Sequence, residues 1–359
     1  MATINQPFPA YLQEAAAIVA NDLAEFDVSE LLPVVTVSPE DSVGKISTDR
    51  TALALDDTEF NIDHVGPSGQ VGVIDDDDGS LTDYRTSILK FPKNRVSRPL
   101  SDRRQIIPGL YDKATQTQVQ LLATALYRRG VAAYTAANFP SLTATFASLG
   151  DGEKIDSAAG KVLDTLMLHM EACEDGNGFA PDRLIIGTKA ARAIGRNTTI
   201  LGRMRVTVDQ HALPLESVRL LLEDALGIQV VISRARVGST YLWDSNLCAF
   251  TYYGRNQPAP RPTMEGSNEP GFSFPGQSFS AKRNIKGRLP ISHTSACMVM
   301  EAFRSLDGEA VITDPSAAAT WGISQENEDN FTDLLSAMAS IDVPIVDSAS
   351  ARILTASMT

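Results

Sequence analysis

Arg183–Asn197 reads RLIIGTKAARAIGRN: an apolar run, a glycine, then a stretch rich in alanine. An apolar run without alternation predicts a strand buried on both faces, Leu184–Ile186. Thr188 stands where an N-cap is expected, ahead of a short helix over Lys189–Ile194. The same order of strand, glycine turn and helix opens many nucleotide-binding domains, so Gly187 has to be tested as a phosphate site. A phosphate loop requires a glycine five residues before Gly-Lys-Ser/Thr. Here Asp182 stands in that place and the order is Gly-Thr-Lys. In the dinucleotide fingerprint the later glycines let the backbone approach a pyrophosphate, and Lys189 and Arg192 occupy those places. Gly187 is therefore read as a structural turn.

Downstream, the pattern gives a helix over Leu215–Leu226 and strands over Gln229–Ser233 and Tyr241–Tyr253, a mixed α/β unit spanning 181–290. It closes with the Pro- and Gly-rich RNQPAPRPTMEGSNEPGFSFPGQ. Upstream, 111–180 is mostly helical. A long helix carries Val119, Leu122, Leu126 and Ala133 on one stripe, with Gly130 weakening it, and a second carries Val162, Leu166, His169 and Cys173. Residues 61–110, centred on GVIDDDDGSLTDYRTSILKF, predict a projecting hairpin closed by an Asp-Gly turn. Residues 1–60 offer one helix, Tyr11–Leu23, and then extended acidic sequence with few core signals, which is expected either to be disordered or to lie against another surface. Return strands are expected within 291–323. An acidic tail follows over 324–359, in which NFTDLLSAMASI has the spacing of a short amphipathic helix.

The 359 residues contain no apolar run near the length that crosses a bilayer, and no basic n-region opens the chain. Cys173, Cys248 and Cys297 lie far apart without a CxxC pair. Neither a disulfide framework nor a zinc site is indicated, which fits reducing conditions. Charge is uneven: residues 1–85 carry a balance of −14, the remainder +1. Directly after the acidic portion, KFPKNRVSRPLSDRR holds six basic residues, Lys90, Lys93, Arg95, Arg98, Arg103 and Arg104, against one acid. An acidic segment next to a basic one suggests electrostatic pairing within a chain or between copies, the alternative being two solvated surfaces that never meet. The acidic isoelectric point, about 4.8, argues against non-specific nucleic-acid binding.

Catalytic and metal motifs fail individually. Aligning the glycine of IDDDDG (Ile74–Gly79) with a calcium loop puts Ile74 at the first ligand position and Arg85 at the final glutamate position. A looser cation site there is the less favoured reading beside a solvated hairpin tip. The four histidines, His64, His169, His211 and His293, have no metal-ligand spacing, and no G-x-S-x-G elbow exists. His169, on an apolar stripe, reads as a hydrogen-bonded core residue. The acid pairs Glu223–Asp224 and Glu328–Asp329 fall on expected helix surfaces. No cofactor, metal or catalytic set is assigned, and the chain is not read as an enzyme.

An arm without its own core, a projecting hairpin, a long helix and a compact α/β unit make an odd monomer. In this order the segments resemble the major capsid proteins of tailed bacteriophages, with the Hong Kong 97-type fold. The match is carried by APDRLIIGTKAARAIGRN, then LESVRLLLEDALGIQVVISRARV (helix, Leu-Gly turn, strand), then STYLWDSNLCAFTYYG, similar to a strand pair around an aromatic-Asp turn. YDKATQTQVQLLATALYRRGVAAYT occupies the place of the family's spine helix. The resemblance covers about residues 105–323 and is most specific over 181–254.

It implies an α+β fold with an N-terminal arm (1–60), an extended loop (61–110), a peripheral domain (111–180 and 291–323), an axial domain (181–290) and a C-terminal tail (324–359). It further implies a subunit that assembles with itself into hexamers and pentamers of an icosahedral head shell, in a virion assembled in the host cytoplasm. DNA would be enclosed without sequence-specific binding, with portal, scaffolding and decoration proteins as further partners and no membrane. The six basic residues are then expected to meet carboxylates of an adjacent subunit. The alternatives are an encapsulin-like shell around protein cargo and, less favoured, a nucleotide-using α/β enzyme.

Overall fold

The computed structural model describes residues 26–37, 42–47, 81–97, 109–140, 144–145, 154–157, 161–177, 180–203, 212–253, 288–290, 294–301, 310–312, 321–327 and 332–355. Along the chain a 3-10 turn (Val28–Glu30) leads into β1 (Val34–Val37), β2 (Val43–Ser47), β3 (Leu81–Arg85), β4 (Ser87–Lys90) and β5 (Asn94–Ser97). The long helix α1 (Gly109–Ala133), β6 (Ala144–Thr145) and α2 (Val162–Asn177) follow. Next come β7 (Arg183–Gly187), α3 (Thr188–Ile194), α4 (Thr198–Arg203), α5 (Leu215–Leu226), β8 (Gln229–Ser233), β9 (Arg236–Val237), β10 (Thr240–Tyr241) and β11 (Cys248–Thr251). The chain ends with β12 (Arg288–Pro290), β13 (Met298–Glu301), β14 (Ala310–Ile312), β15 (Trp321–Asn327), β16 (Thr332–Asp342) and β17 (Arg352–Thr355).

The quoted stretch sits in a five-stranded sheet of order β6-β17-β11-β7-β8, with β7 and β8 parallel. Its alternate residues serve two cores. Leu184, Ile186, Val230, Ile232, Cys248, Phe250 and Leu354 face helices α2 to α5, while Ile185, Val231, Ala249 and Ile353 join a second cluster with α1. A strand buried on both faces has no polar positions to alternate, hence the unbroken apolar run. Helix α5 ends at Gly227, whose φ of 70° is the left-handed conformation that closes a helix, its N–H donating to the Glu223 carbonyl. The expected strand over Tyr241–Tyr253 is two short strands, β10 and β11, separated by a turn. Asp244 Oδ1 accepts the Asn246 N–H there, so the chain reverses locally instead of running straight.

The second sheet has seven strands, five in the order β1-β13-β16-β15-β14, with β4 and β5 both on the remaining edge of β16. Helix α1 packs on it, burying Val119, Leu122 and Ala133 against Leu335, Ala337, Ala339 and Ile341. Gly130 permits a close approach: a Cβ there would meet Val28 Cγ1 at 3.3 Å, beside Leu31 and Leu32. Those residues are buried against α1, so this part of the arm lies on the core of its own chain, one of the two outcomes that its sequence allowed. Tyr134 fixes the segment by donating its hydroxyl to the Leu31 carbonyl at 2.7 Å.

Two further expectations are corrected. NFTDLLSAMASI is no surface helix: Thr332–Asp342 is the central strand β16, and Arg352–Thr355 adds to the other sheet. The supposed tail thus ties the two sheets together, because its apolar positions find strand partners on both sides. Leu81–Arg85, expected to pair within 61–110, pairs instead with Val43–Ser47. The Asp-Gly turn and the helix expected over Tyr11–Leu23 lie outside the described residues.

Candidate subunit-contact site

Beyond β3 the chain continues through Thr86 into β4, so one nearly continuous strand leaves the small β12-β2-β3 sheet and enters the seven-stranded one. Ser87–Lys90 pair with Met338–Ile341, and Asn94–Ser97 pair with Thr332–Leu335. Between them Phe91-Pro92-Lys93 interrupts the ladder, and Pro92 has no N–H to donate. A side chain from α1 completes the gap. Gln118, fully buried, accepts the Ala337 N–H on Oε1 at 2.8 Å and donates from Nε2 to the Pro92 carbonyl at 2.9 Å. The Phe91 N–H donates to the Ala337 carbonyl at 3.2 Å, and the Ser336 hydroxyl donates to the Phe91 carbonyl at 3.0 Å.

Along this edge Leu89 and Val96 pack toward the core shared with α1. Ile88, 61% exposed, and Arg95 alternate with them on the outer side, and Lys93 is exposed at the interruption. Lys90 is the last residue of β4, opposite Met338. Three of the six predicted contact residues therefore share one edge of the sheet, while Arg98, Arg103 and Arg104 lie outside the described residues. Among the described residues no strand pairs with the outer edge of β4 or β5.

At Gly187 a cavity of about 290 Å³ is lined by Thr188, Lys189, Tyr241, Trp243 and Asp244 among others. Gly187 itself is the N-cap residue, with φ −78° and no side-chain cap bond. Thr188 is the first residue of α3 and donates its hydroxyl to the Ser233 carbonyl at 2.7 Å, linking the ends of the parallel strands. The expected Thr188 cap is thus replaced by a strand-to-strand tie. Glycine eases the packing here, since a Cβ would stand 3.2 Å from Trp243 Cδ1 and push on the buried indole. The lining includes one lysine, Lys189, and one acid, Asp244, so it carries no excess positive charge to concentrate a phosphate.

Two buried polar groups complete the survey. Arg183 enters from β7 with its guanidinium 3.5 Å over the Tyr253 ring, donating to the carbonyls of Ser29 and Glu30 and to Gln229 Oε1. It fastens the 3-10 turn to the five-stranded sheet, and Tyr253 adds a hydroxyl bond to the Ser29 carbonyl at 2.7 Å. Burial of Glu30 in this corner raises its carboxyl above the usual range, with Asp27 adding repulsion. His169 lies buried on α2, and its Nδ1 accepts from Arg352 Nε at 3.3 Å. Burial, and then the nearby Arg352 charge, push its pKa down to about 4, so the imidazole is neutral and structural as its helical stripe suggested.

Among the described residues no group of His, Cys, Asp and Glu could hold a metal ion; Ile74–Gly79 and the other three histidines lie outside them. Glu223 lies on α5 with Arg219 at 3.0 Å and accepts the Val230 N–H at 3.2 Å, while Asp224 is exposed. The sequence reading missed Gln118 and Arg183. A proline inside a strand-like run and a charge opening an all-apolar strand were their only signals.

No family model matches the chain, and no curated protein matches it in sequence. Among solved structures, a phage-related protein from Bordetella bronchiseptica RB50 superposes with a TM-score of 0.57 at 13% identity, covering 99% of each chain. A virus-like particle from Pyrococcus furiosus gives a TM-score of 0.46 at 11% identity, covering 96% of this chain and 98% of that one. The capsid of cyanophage P-SCSP1u gives 0.46 at 11% identity, covering 90% and 86%. The fold is the α+β, Hong Kong 97-type capsid fold that the order of segments resembles.

Proposed function

We propose that this chain is a self-assembling shell subunit, the major capsid protein of a tailed double-stranded DNA phage. One observation carries the reading: the chain superposes on a phage-related protein with a TM-score of 0.57, the match covering 99% of both chains. In this reading each unit has a role. The seven-stranded sheet with α1 serves as the peripheral domain and the five-stranded sheet with α2 to α5 as the axial domain. The excursion between β2 and β3 acts as the extended loop. Many copies of a weak contact sum to a stable closed cage, because each further contact of a seated subunit is effectively intramolecular. The acidic chain limits adhesion to the DNA it encloses. Lys90, Lys93, Arg95, Arg98, Arg103 and Arg104 meet carboxylates of an adjacent copy. Portal, scaffolding and decoration proteins are the expected further partners, and the chain has a structural, not catalytic, role in the virion.

Size exclusion and negative-stain microscopy of the purified protein test this. Closed particles tens of nanometres across, holding nuclease-protected double-stranded DNA when isolated from virions, are expected. A 38.6 kDa monomer at all concentrations refutes shell formation. Particles filled instead with a protein cargo replace the phage reading by the encapsulin-like one.

A further inference from the structure

We propose that Gln118 is a positioning residue for assembly: it holds the Phe91-Pro92-Lys93 interruption so that Lys93 projects between β4 and β5 toward an acidic surface of a second copy, a role that rests on the shell-subunit reading. Two ends of one amide are used at once, Oε1 on Ala337 and Nε2 on Pro92, at 2.8 and 2.9 Å. Neither bond can be made by the strand itself. The Ala337 N–H of the central strand needs an acceptor and the Pro92 carbonyl a donor, and the one amide supplies both. An uninterrupted strand would satisfy the same groups without burying a polar side chain, an arrangement that is costly unless every bond is made. The interruption is therefore a feature the core is built to keep.

What it presents is the outer side of the edge. Ile88, Lys93 and Arg95 are exposed there while Leu89 and Val96 anchor the inner side. An interruption of fixed depth also sets where β5, and with it Arg95, stands relative to β4. Lys93 and Arg95 each have an interaction within their own chain, so the role does not depend on their being unpaired. The occupant is identified by charge. This edge opens a segment with six basic residues against one acid, whereas residues 1–85 of every copy carry a balance of −14. A second copy therefore brings the complementary charge to the edge.

Four proteins are compared by light scattering for assembly rate across a series of salt concentrations: the intact chain, Gln118→Met, Lys93→Gln and Leu166→Ala. The last is a core truncation beneath the other sheet and controls for destabilisation alone. The expected result is that Gln118→Met and Lys93→Gln both slow assembly several-fold and flatten its salt dependence, while Leu166→Ala keeps the slope of the intact chain. Gln118→Met assembling with the slope of the intact chain overturns the proposal. Should Gln118→Met fail to fold, Lys93→Gln decides, since its exposed side chain leaves folding intact, and an unchanged slope there overturns it equally. Absence of particles from the intact chain refutes the shell reading itself, a distinct outcome.

Discussion

Replacing Leu335 by alanine separates the central strand from the surface helix that its sequence also fits. Leu335 is fully buried on β16, between Asn94 of β5 and Gln325 of β15, and its side chain joins the cluster beneath α1. Truncation to alanine removes three carbons, about 2.5 kcal/mol of transfer free energy at roughly 0.8 kcal/mol each. The cavity left in a sheet that cannot collapse adds to this, so about 3–4 kcal/mol is expected, within the range of leucine truncations in rigid cores. Leu220→Ala supplies the reference, because Leu220 is 54% exposed on α5 and its truncation should cost no more than about 0.5 kcal/mol. Guanidinium unfolding of unassembled subunits, followed by the fluorescence of buried Trp243, reads both variants. If the two midpoints agree, β16 is not the central strand and the placement of the chain's last segment is wrong.

The remaining predictions concern the two polar anchors and the thiols. Arg183→Met removes the donors to the Glu30 carbonyl and the Gln229 amide oxygen and leaves the Ser29 carbonyl only its Tyr253 bond; it should cost about 1–2 kcal/mol and admit protease near residues 26–32, whereas unchanged cleavage would deny the clamp. His169, held neutral down to about pH 4, takes up a proton in the unfolded chain first. Stability should therefore fall as pH drops from about 6.5 toward 4, and His169→Gln should flatten that part of a thermal-melting profile. Burial pushes the Cys297 thiol up to about 12, and Cys173 and Cys248 are also buried. Thiol reagents should leave all three unlabelled until guanidinium unfolds the subunit, and fast labelling of native protein at about pH 8 would contradict the packing.

The sequence by itself determined the elements whose cause is local. Helix Leu215–Leu226 and strand Gln229–Ser233 were legible to the residue, because an apolar stripe, a closing glycine and a β-branched run lie within one window. The stripe of Val119, Leu122 and Ala133 on α1 and that of Val162, Leu166, His169 and Cys173 on α2 were visible for the same reason. The basic cluster was visible as charge. Tertiary structure alone decided the rest. Leu334, Leu335, Ala337, Met338 and Ile341 fit a helical stripe as well as a strand. Only pairing with β4, β5, β13 and β15, brought from distant parts of the chain, selects the strand. Thr188 looked like a cap until Ser233, 45 residues away, supplied a carbonyl at 2.7 Å. Gln118 and Arg183 look like ordinary polar residues until the groups they serve, Ala337 and Pro92 for one and Ser29, Glu30 and Gln229 for the other, converge on them. Propensity and periodicity act over a few residues, whereas the partner of a buried polar group or of a strand edge is chosen by the folded chain as a whole.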